Sequence, residues 1–356
     1  MKKHWNRQGF PILFTLLLTI FTVFALLDTF VIPHSYSAAA TTEPAIIGKT
    51  AATETIEADD TEPAENETAD GAAAAAETTD PSARGSRHHK HPGADTASEA
   101  ESTAESTGST ASASASESGT SYTSDSLTIT LNQYLVADTT VYVADVVTDD
   151  PSRLKTALAG DVYGRNVTDK PSSIASDSGA VLAINGDFYG ARTSGYVIRN
   201  GVLYRDTASG GEDLVIWADG SFSIIDETRV SAQELLDQGA VQVLSFGPAL
   251  VEDGQVSVSE TDEVGKAMAS NPRTAIGIVD EGHYLFVVSD GRTSESEGLT
   301  LRELADFMES LGVQTAYNLD GGGSSTMVFQ GQVVNNPTTG GSTIRERSVS
   351  DIVYVS

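Results

Sequence analysis

The chain has 356 residues, 50 acidic against 21 basic side chains, a formal net charge of -29 and no cysteine. Such a balance argues against a nucleic-acid or other polyanion partner, which needs a clustered cationic face, and the missing thiols exclude disulfides, zinc–thiolate sites and a cysteine nucleophile. Five of the six histidines (His4, His34, His88, His89, His91) precede the region read as folded, leaving His283 alone inside it, too few for a two-histidine metal site and a poor basis for a serine–histidine hydrolase.

Lys2, Lys3 and Arg7 precede an apolar run from Phe10 through Leu27, which resumes beyond Asp28 with Phe30, Val31 and Ile32. Cationic residues before such a run and acidic sequence after it predict a transmembrane signal anchor over residues 1–37, with everything downstream on the extracytoplasmic side of the cell membrane. The small residues of Ser35-Tyr36-Ser37-Ala38-Ala39-Ala40 offer a signal-peptidase site, and cleavage there would make the protein secreted; retention is the expectation. Residues 38–124 are dominated by Ala, Ser, Thr and Glu. Such a stretch buries too little apolar surface to offset its conformational entropy and reads as a disordered linker. The basic, histidine-rich patch from Arg84 to His91 within it reads as a solvated charge cluster.

Residues 125–356 read as one domain. Leu127 to Leu131 alternates as a strand, and Thr140 to Val147 is a second, more buried one. Ser152 to Leu158 is expected to form a short helix. Apolar runs then flank Asn200-Gly201, Asp219-Gly220, Asp253-Gly254 and Gln330-Gly331, the pattern of tight hairpins whose central residues need φ above zero. Ser231 to Gln238 is a second short helix. Thr300 to Leu311 is the strongest one: Leu301, Leu304, Ala305, Met308 and Leu311 form a stripe, Thr300 and Glu303 have capping-box spacing, and Gly312 stops it. It leads straight into the segment carrying Asp320. The fold class is α+β, with a mixed, mostly antiparallel β-sheet core and a few flanking helices, preceded by the transmembrane helix and the disordered stalk.

Four glycine-punctuated segments carry the chemistry. Asn318-Leu319-Asp320-Gly321-Gly322-Gly323-Ser324-Ser325 sets a carboxylate before three residues without Cβ and two hydroxyls. Ala183-Ile184-Asn185-Gly186-Asp187, Asn271-Pro272-Arg273-Thr274 and Val287-Val288-Ser289-Asp290-Gly291-Arg292 each set polar groups at the end of a β-like run. None fits a dinucleotide or P-loop fingerprint. Together they resemble the phosphodiester glycosidase family, from about Val141 to the C-terminus. The resemblance implies hydrolysis of a sugar-1-phosphodiester at the anomeric carbon, with a phosphodiester-linked carbohydrate or cell-surface glycopolymer as partner. The anchored domain would then act on extracellular polysaccharide.

That chemistry asks for an ionised carboxylate facing an oxocarbenium-like ring and for cations holding the departing phosphate. Asp320 is the first candidate for the carboxylate, with Gly321, Gly322 and Gly323 bringing backbone donors beside it and Ser324 and Ser325 orienting it; Asp187 is the second. Arg273 and Arg292 are candidate phosphate clamps, because guanidinium matches phosphate oxygens bidentately. Asn185 and Asn318 are candidates for sugar hydroxyls or an acetamido group, and Asp290 for a partner of Arg292. Each Asp-Gly pair also suits a plain turn. Arg347 reads as structural, and Phe246-Gly247-Pro248 as a pocket wall or a turn. The sequence specifies no cofactor with certainty, and a Ca2+ or Mg2+ ion held by the three aspartates is an alternative. Two other functions fit the same residues: a surface module that binds anionic glycopolymer without cleaving it, and a metal-dependent phosphodiesterase.

Overall fold

Alternating burial marks the strands from Leu127 onward. In a computed structural model of the protein, the described residues are 16–24, 34–35, 114–258, 270–339 and 343–356. Residues 16–24 of the expected anchor are helical; the rest of that segment and residues 38–113 of the expected linker lie outside the described residues, apart from the pair 34–35. Among the described residues no helix is long and apolar enough to cross a membrane.

In chain order the strands are β1 (Ser114–Thr123), β2 (Leu127–Val136), β3 (Thr139–Thr148), β4 (Leu154–Leu158), β5 (Leu182–Asn185), β6 (Val197–Arg199), β7 (Val202–Arg205), β8 (Glu212–Trp217), β9 (Phe222–Asp226), β10 (Ala240–Leu244), β11 (Ala249–Glu252), β12 (Gln255–Val256), β13 (Thr274–Asp280), β14 (His283–Ser289), β15 (Thr315–Asn318), β16 (Met327–Phe329), β17 (Gln332–Val333) and β18 (Asp351–Val355). They form an eight-stranded sheet in the order β12-β11-β15-β13-β14-β3-β2-β1 and two five-stranded sheets, β17-β16-β5-β18-β4 and β9-β8-β10-β6-β7. The ladders between them are antiparallel. Beyond residues 16–24, the α-helices among the described residues are α1 (Pro171–Asp177), α2 (Ala232–Asp237) and α3 (Leu301–Ser310).

Turn chemistry sets much of this register. Asn200 and Gly201 have φ of 51° and 76°, Asp253 and Gly254 50° and 71°, Gln330 and Gly331 48° and 77°, as a two-residue hairpin turn of matching twist requires. Ala137 and Asp138, at 45° and 57°, make the same kind of turn between β2 and β3 without a glycine. The sheet begins inside the stretch read as linker, because β1 pairs with β2 from Ser114 onward.

The expected helix at Ser152 to Leu158 is instead a single 3-10 turn, Pro151–Arg153, followed by β4. Leu154, Thr156 and Leu158 are buried at a spacing of two, and pairing with β18 outweighs local helix preference. The expected capping box at Thr300 forms, and a second one forms at Ser231: Thr300 and Ser231 accept from the N–H groups of Glu303 and Glu234, whose carboxylates return to the capping residues. Helix α3 buries Leu301, Leu304, Ala305, Phe307 and Met308 in a core shared with Val251, Ala275, Val287 and Ala316. Each large side chain so buried contributes about 1.5–3 kcal/mol. Gly277 on β13 allows that approach, since a Cβ there would lie 2.9 Å from Met308 Cε. The helix thereby fixes where β15 ends and the Asp320 loop begins.

Candidate active site

The Asp320 loop is clamped from both sides. Asp320 N donates to Gly186 O at 3.3 Å, and Asn185 Nδ2 donates to Asp320 O at 2.6 Å. Asn185 is itself fully buried, its Oδ1 accepting from Thr274 Oγ1 and Thr326 N at 2.9 and 3.2 Å. Its hydrogen-bonding groups are thus spent on joining β5 to the loop. The glycines act by close approach: a Cβ at Gly321 would lie 2.9 Å from Pro272 O, and one at Gly322, where φ is +63°, 2.8 Å from Arg292 Nη2. Gly322 N donates to Pro272 O at 2.7 Å, so it offers no open nest for a ligand anion. The Ser324 hydroxyl and the Gly321 N–H both draw the Asp320 carboxyl toward ionisation. Ser325 does not share that task; its carbonyl accepts from Asn335 Nδ2 at 3.0 Å.

A cleft of about 470 Å³ opens over this loop, lined by Asn318, Asp320, Gly321, Gly322, Arg273, Arg292, Asn271 and Leu301, and on the facing side by Arg192 and Phe246 to Pro248. Burial pushes the Asp320 carboxyl above the usual aspartate range, against the opposing pull of the Ser324 hydroxyl, Arg347, the Gly321 N–H and Arg192. Arg292, at φ 61°, donates through Nε and Nη2 to Asn271 Oδ1 at 3.3 and 3.0 Å. Buried Arg273 donates through Nε to Leu299 O at 2.8 Å. Asn318 donates through Nδ2 to Gly247 O at 2.7 Å. That contact orients the amide and leaves Oδ1 buried with no hydrogen-bond partner among the described residues, an acceptor with unmet demand beside the cleft.

Two of the candidate acids lie elsewhere. Asp187 is buried, with Oδ2 2.8 Å from Arg199 Nη2 and 2.9 Å from Ser245 N, and Oδ1 3.0 Å from Tyr189 N. Arg199 also meets Asp351 Oδ2 through Nε and Nη2 at 2.9 Å. One arginine faces two carboxyls, and burial pushes Asp351 upward in spite of it, so this acid tends to keep its proton. The network backs the site directly: Gly186 N donates to Asp351 O at 2.9 Å, and a Cβ at Gly186 would lie 2.4 Å from the Asp351 carboxylate. Asp290 does not pair with Arg292. Its oxygens accept from Asn336 N and Nδ2 at 2.7 and 2.9 Å and from Tyr142 Oη at 3.4 Å, which ties the 335–337 segment to β14.

Sequence patterning found neither Arg192 nor Asp351; Arg347, read there as structural, pulls the Asp320 carboxyl downward through its charge. Arg192 had no glycine motif to mark it; its guanidinium carbon lies 4.9 Å from the Phe246 ring centre, and Nη1 donates to Ser245 O at 3.2 Å. Among the described residues, no group of three or more His, Asp or Glu side chains is disposed to hold a metal ion; Asp187, Asp290 and Asp320 are each engaged separately.

This geometry has relatives. An uncharacterized prophage-derived protein of Bacillus subtilis is 31% identical over 202 residues, which cover 54% of this chain and 30% of that protein. The mouse N-acetylglucosamine-1-phosphodiester alpha-N-acetylglucosaminidase is 32% identical over 181 residues, 46% of this chain and 34% of the relative. The chain therefore spans about a third of the length of the curated relatives it matches. Among solved structures, the zebrafish N-acetylglucosamine-1-phosphodiester alpha-N-acetylglucosaminidase catalytic domain, auto-inhibited by pro-peptide, superposes with a TM-score of 0.50 at 21% identity over 70% of this chain and 85% of that one. A hypothetical protein from Synechocystis gives 0.53 at 16% identity over 67% and 64%. At those identities the two structures speak for the fold. The family model for phosphodiester glycosidase matches residues 178–356, half of the chain and every one of the glycine-punctuated segments around the cleft, and the chain belongs to that family.

Proposed function

We propose that the domain hydrolyses a sugar-1-phosphodiester at the anomeric carbon, and that the N-terminal segment holds it on the extracytoplasmic face of the membrane, where a cell-surface glycopolymer is the substrate. The observation that carries the reading is a carboxylate, Asp320, in a cleft whose other charged lining residues, among those described, are Arg192, Arg273 and Arg292. Heterolysis of the anomeric C–O bond builds positive charge on the ring and negative charge on the departing phosphate. Asp320 faces the first and the arginines the second. A phosphomonoester is a good leaving group, so the reaction does not depend on a strong general acid, and histidine is not needed. Asn318 Oδ1 would accept from a sugar hydroxyl or an acetamido N–H. Asp187, locked onto Arg199, acts through Gly186 as a positioning residue in this scheme, leaving Asp320 as the carboxylate that meets the sugar. The membrane attachment rests on the apolar run from Phe10 through Leu27 behind Lys2, Lys3 and Arg7.

The test is a panel of glycosyl methyl phosphates, beginning with the α-N-acetylglucosaminyl compound named by the activity of the mouse relative, hydrolysed in oxygen-18 water. Label in the sugar hydroxyl is expected. Label in the phosphate would mean attack at phosphorus, the route of a metal-dependent phosphodiesterase, and loss of turnover after exhaustive chelation would point to Ca2+ or Mg2+. Polymer binding without any product would leave only a binding module.

A further inference from the structure

Arginines in this domain are held in two ways. Arg153, Arg199, Arg229 and Arg302 each lie within ion-pair distance of an aspartate, the natural outcome in a chain with 50 acids and 21 bases. Around Asp320 the partners are neutral. Arg192 donates to a backbone carbonyl and lies over Phe246, and Arg292 donates to the amide of Asn271. Arg347 is exposed, and its stem runs beside Gly323, where a Cβ would lie 3.5 Å from Arg347 Cδ. A guanidinium fixed by an amide or carbonyl oxygen retains its charge for an incoming anion.

Among the described residues Asp320 is the one acid lining the cleft, and Arg273 lines it too, so a single negative charge stands among four guanidinium groups. A sugar-1-phosphodiester, the substrate class of the proposed function on which this inference rests, brings one more. Cations among the described residues still outnumber anions. Arg347 is exposed and is absent from the cleft wall itself. It packs on Gly323, while Arg292 packs on Gly322, so neighbouring residues of one loop carry two guanidinium groups. We propose that Arg347 binds a second anionic group on the substrate, so that the preferred ligand presents two phosphate charges in succession. The second charge comes either from a diphosphate at the anomeric carbon or from the next phosphodiester of a sugar–phosphate polymer.

Three probes built on the sugar selected by the panel separate these cases: the glycosyl methyl phosphate, the glycosyl methyl diphosphate, and a dimer of sugar-phosphate units. The expected result is a kcat/KM at least about tenfold higher for one doubly charged probe than for the methyl phosphate, the scale of one charge-assisted hydrogen bond. Arg347→Gln should bring that ratio close to one, chiefly through KM, and Arg347→Lys should restore part of it, with Tm showing that both variants fold. Preference for the diphosphate or for the dimer names the source of the charge. Equal kcat/KM on all three probes, or a preference untouched by Arg347→Gln, overturns the inference and leaves the hydrolase standing. Release of sugar from none of them overturns the inference together with the proposed function.

Discussion

Arg199 and Arg292 have the same side chain in opposite surroundings. Arg199 is buried, meets Asp187 and Asp351 and also bonds the carbonyls of Ile198 and Val243; Arg292 is exposed on the cleft and holds one neutral amide. Desolvated charge tolerates burial only when counter-charge surrounds it, and Arg199, enclosed by two carboxyls, has everything to do with where Gly186 lies. Arg292 is positioned without being neutralised. Partner chemistry, more than residue type, therefore separates the charges that hold this domain together from those available to a substrate.

The sharpest way to break that distinction is Arg199→Met. It leaves Asp187 and Asp351 buried without their cation, at a cost of about 3–5 kcal/mol, which for a domain of this size lowers Tm by on the order of 10 °C. A thermal scan showing a shift below about 2 °C would mean that the network is not structural. Asp320→Asn should do the reverse. Burial holds this carboxyl above its ordinary range, so its ionisation opposes folding, fully above the folded pKa and not at all below the unfolded one. At neutral pH the variant should keep or slightly raise Tm while kcat falls roughly 100- to 1,000-fold, the scale of losing one preorganised electrostatic group. Unchanged turnover would remove Asp320 from the chemistry.

Smaller effects sharpen the same contrast within the cleft. Arg292→Gln keeps the contact to Asn271 within reach but discards the charge, and should raise KM for a glycosyl phosphodiester about 10- to 100-fold with little change in Tm. A large loss of stability would place Arg292 in the class of Arg199. The pH profile follows from the direction of the Asp320 shift. If the ionised form acts, kcat/KM declines as pH drops through the folded pKa, and burial moves that decline above the range of an ordinary aspartate, about 3.9. Because Arg347 opposes the upward shift, Arg347→Gln should displace the acid limb further toward neutral pH. A limb in the ordinary range, indifferent to Arg347, would contradict the burial argument.

Legibility from the sequence followed the range of the interactions involved. Hairpins at Asn200-Gly201, Asp253-Gly254 and Gln330-Gly331 were readable because a two-residue turn is a local matter of φ, and α3 because its cap and stripe lie within one segment. Leu154–Leu158 was misread as helix because its strand character comes from β18, about two hundred residues away. The glycine-punctuated segments do converge, with Arg273, Arg292, Asn318 and Asp320 lining one cleft. What local pattern could not provide was the partner of each charge. Asp187 and Asp320 look alike as residues beside glycine, yet one faces Arg199 and the other the cleft. Arg192 and Asp351 have no motif around them, and only their long-range contacts reveal them.

The smallest effect tests whether the helix merely supports the site or also sets its geometry. Thr300 Oγ1 accepts from Glu303 N at 3.1 Å, and the Glu303 carboxylate returns to Thr300 N at 2.9 Å, so Thr300→Ala removes half of a reciprocal cap at a cost of about 1 kcal/mol. Leu301, the next residue, lies in the cleft wall, and β15, which follows the helix, ends at Asn318. Five side chains of α3 remain buried in the core, and packing on that scale exceeds one cap. The expected outcome is a Tm lower by about 2–4 °C with KM and kcat within about twofold of the parent. A larger change in kcat without a larger change in Tm would show instead that the helix start controls the Asp320 loop, and the division between supporting and reacting parts of the domain would have to be redrawn along α3.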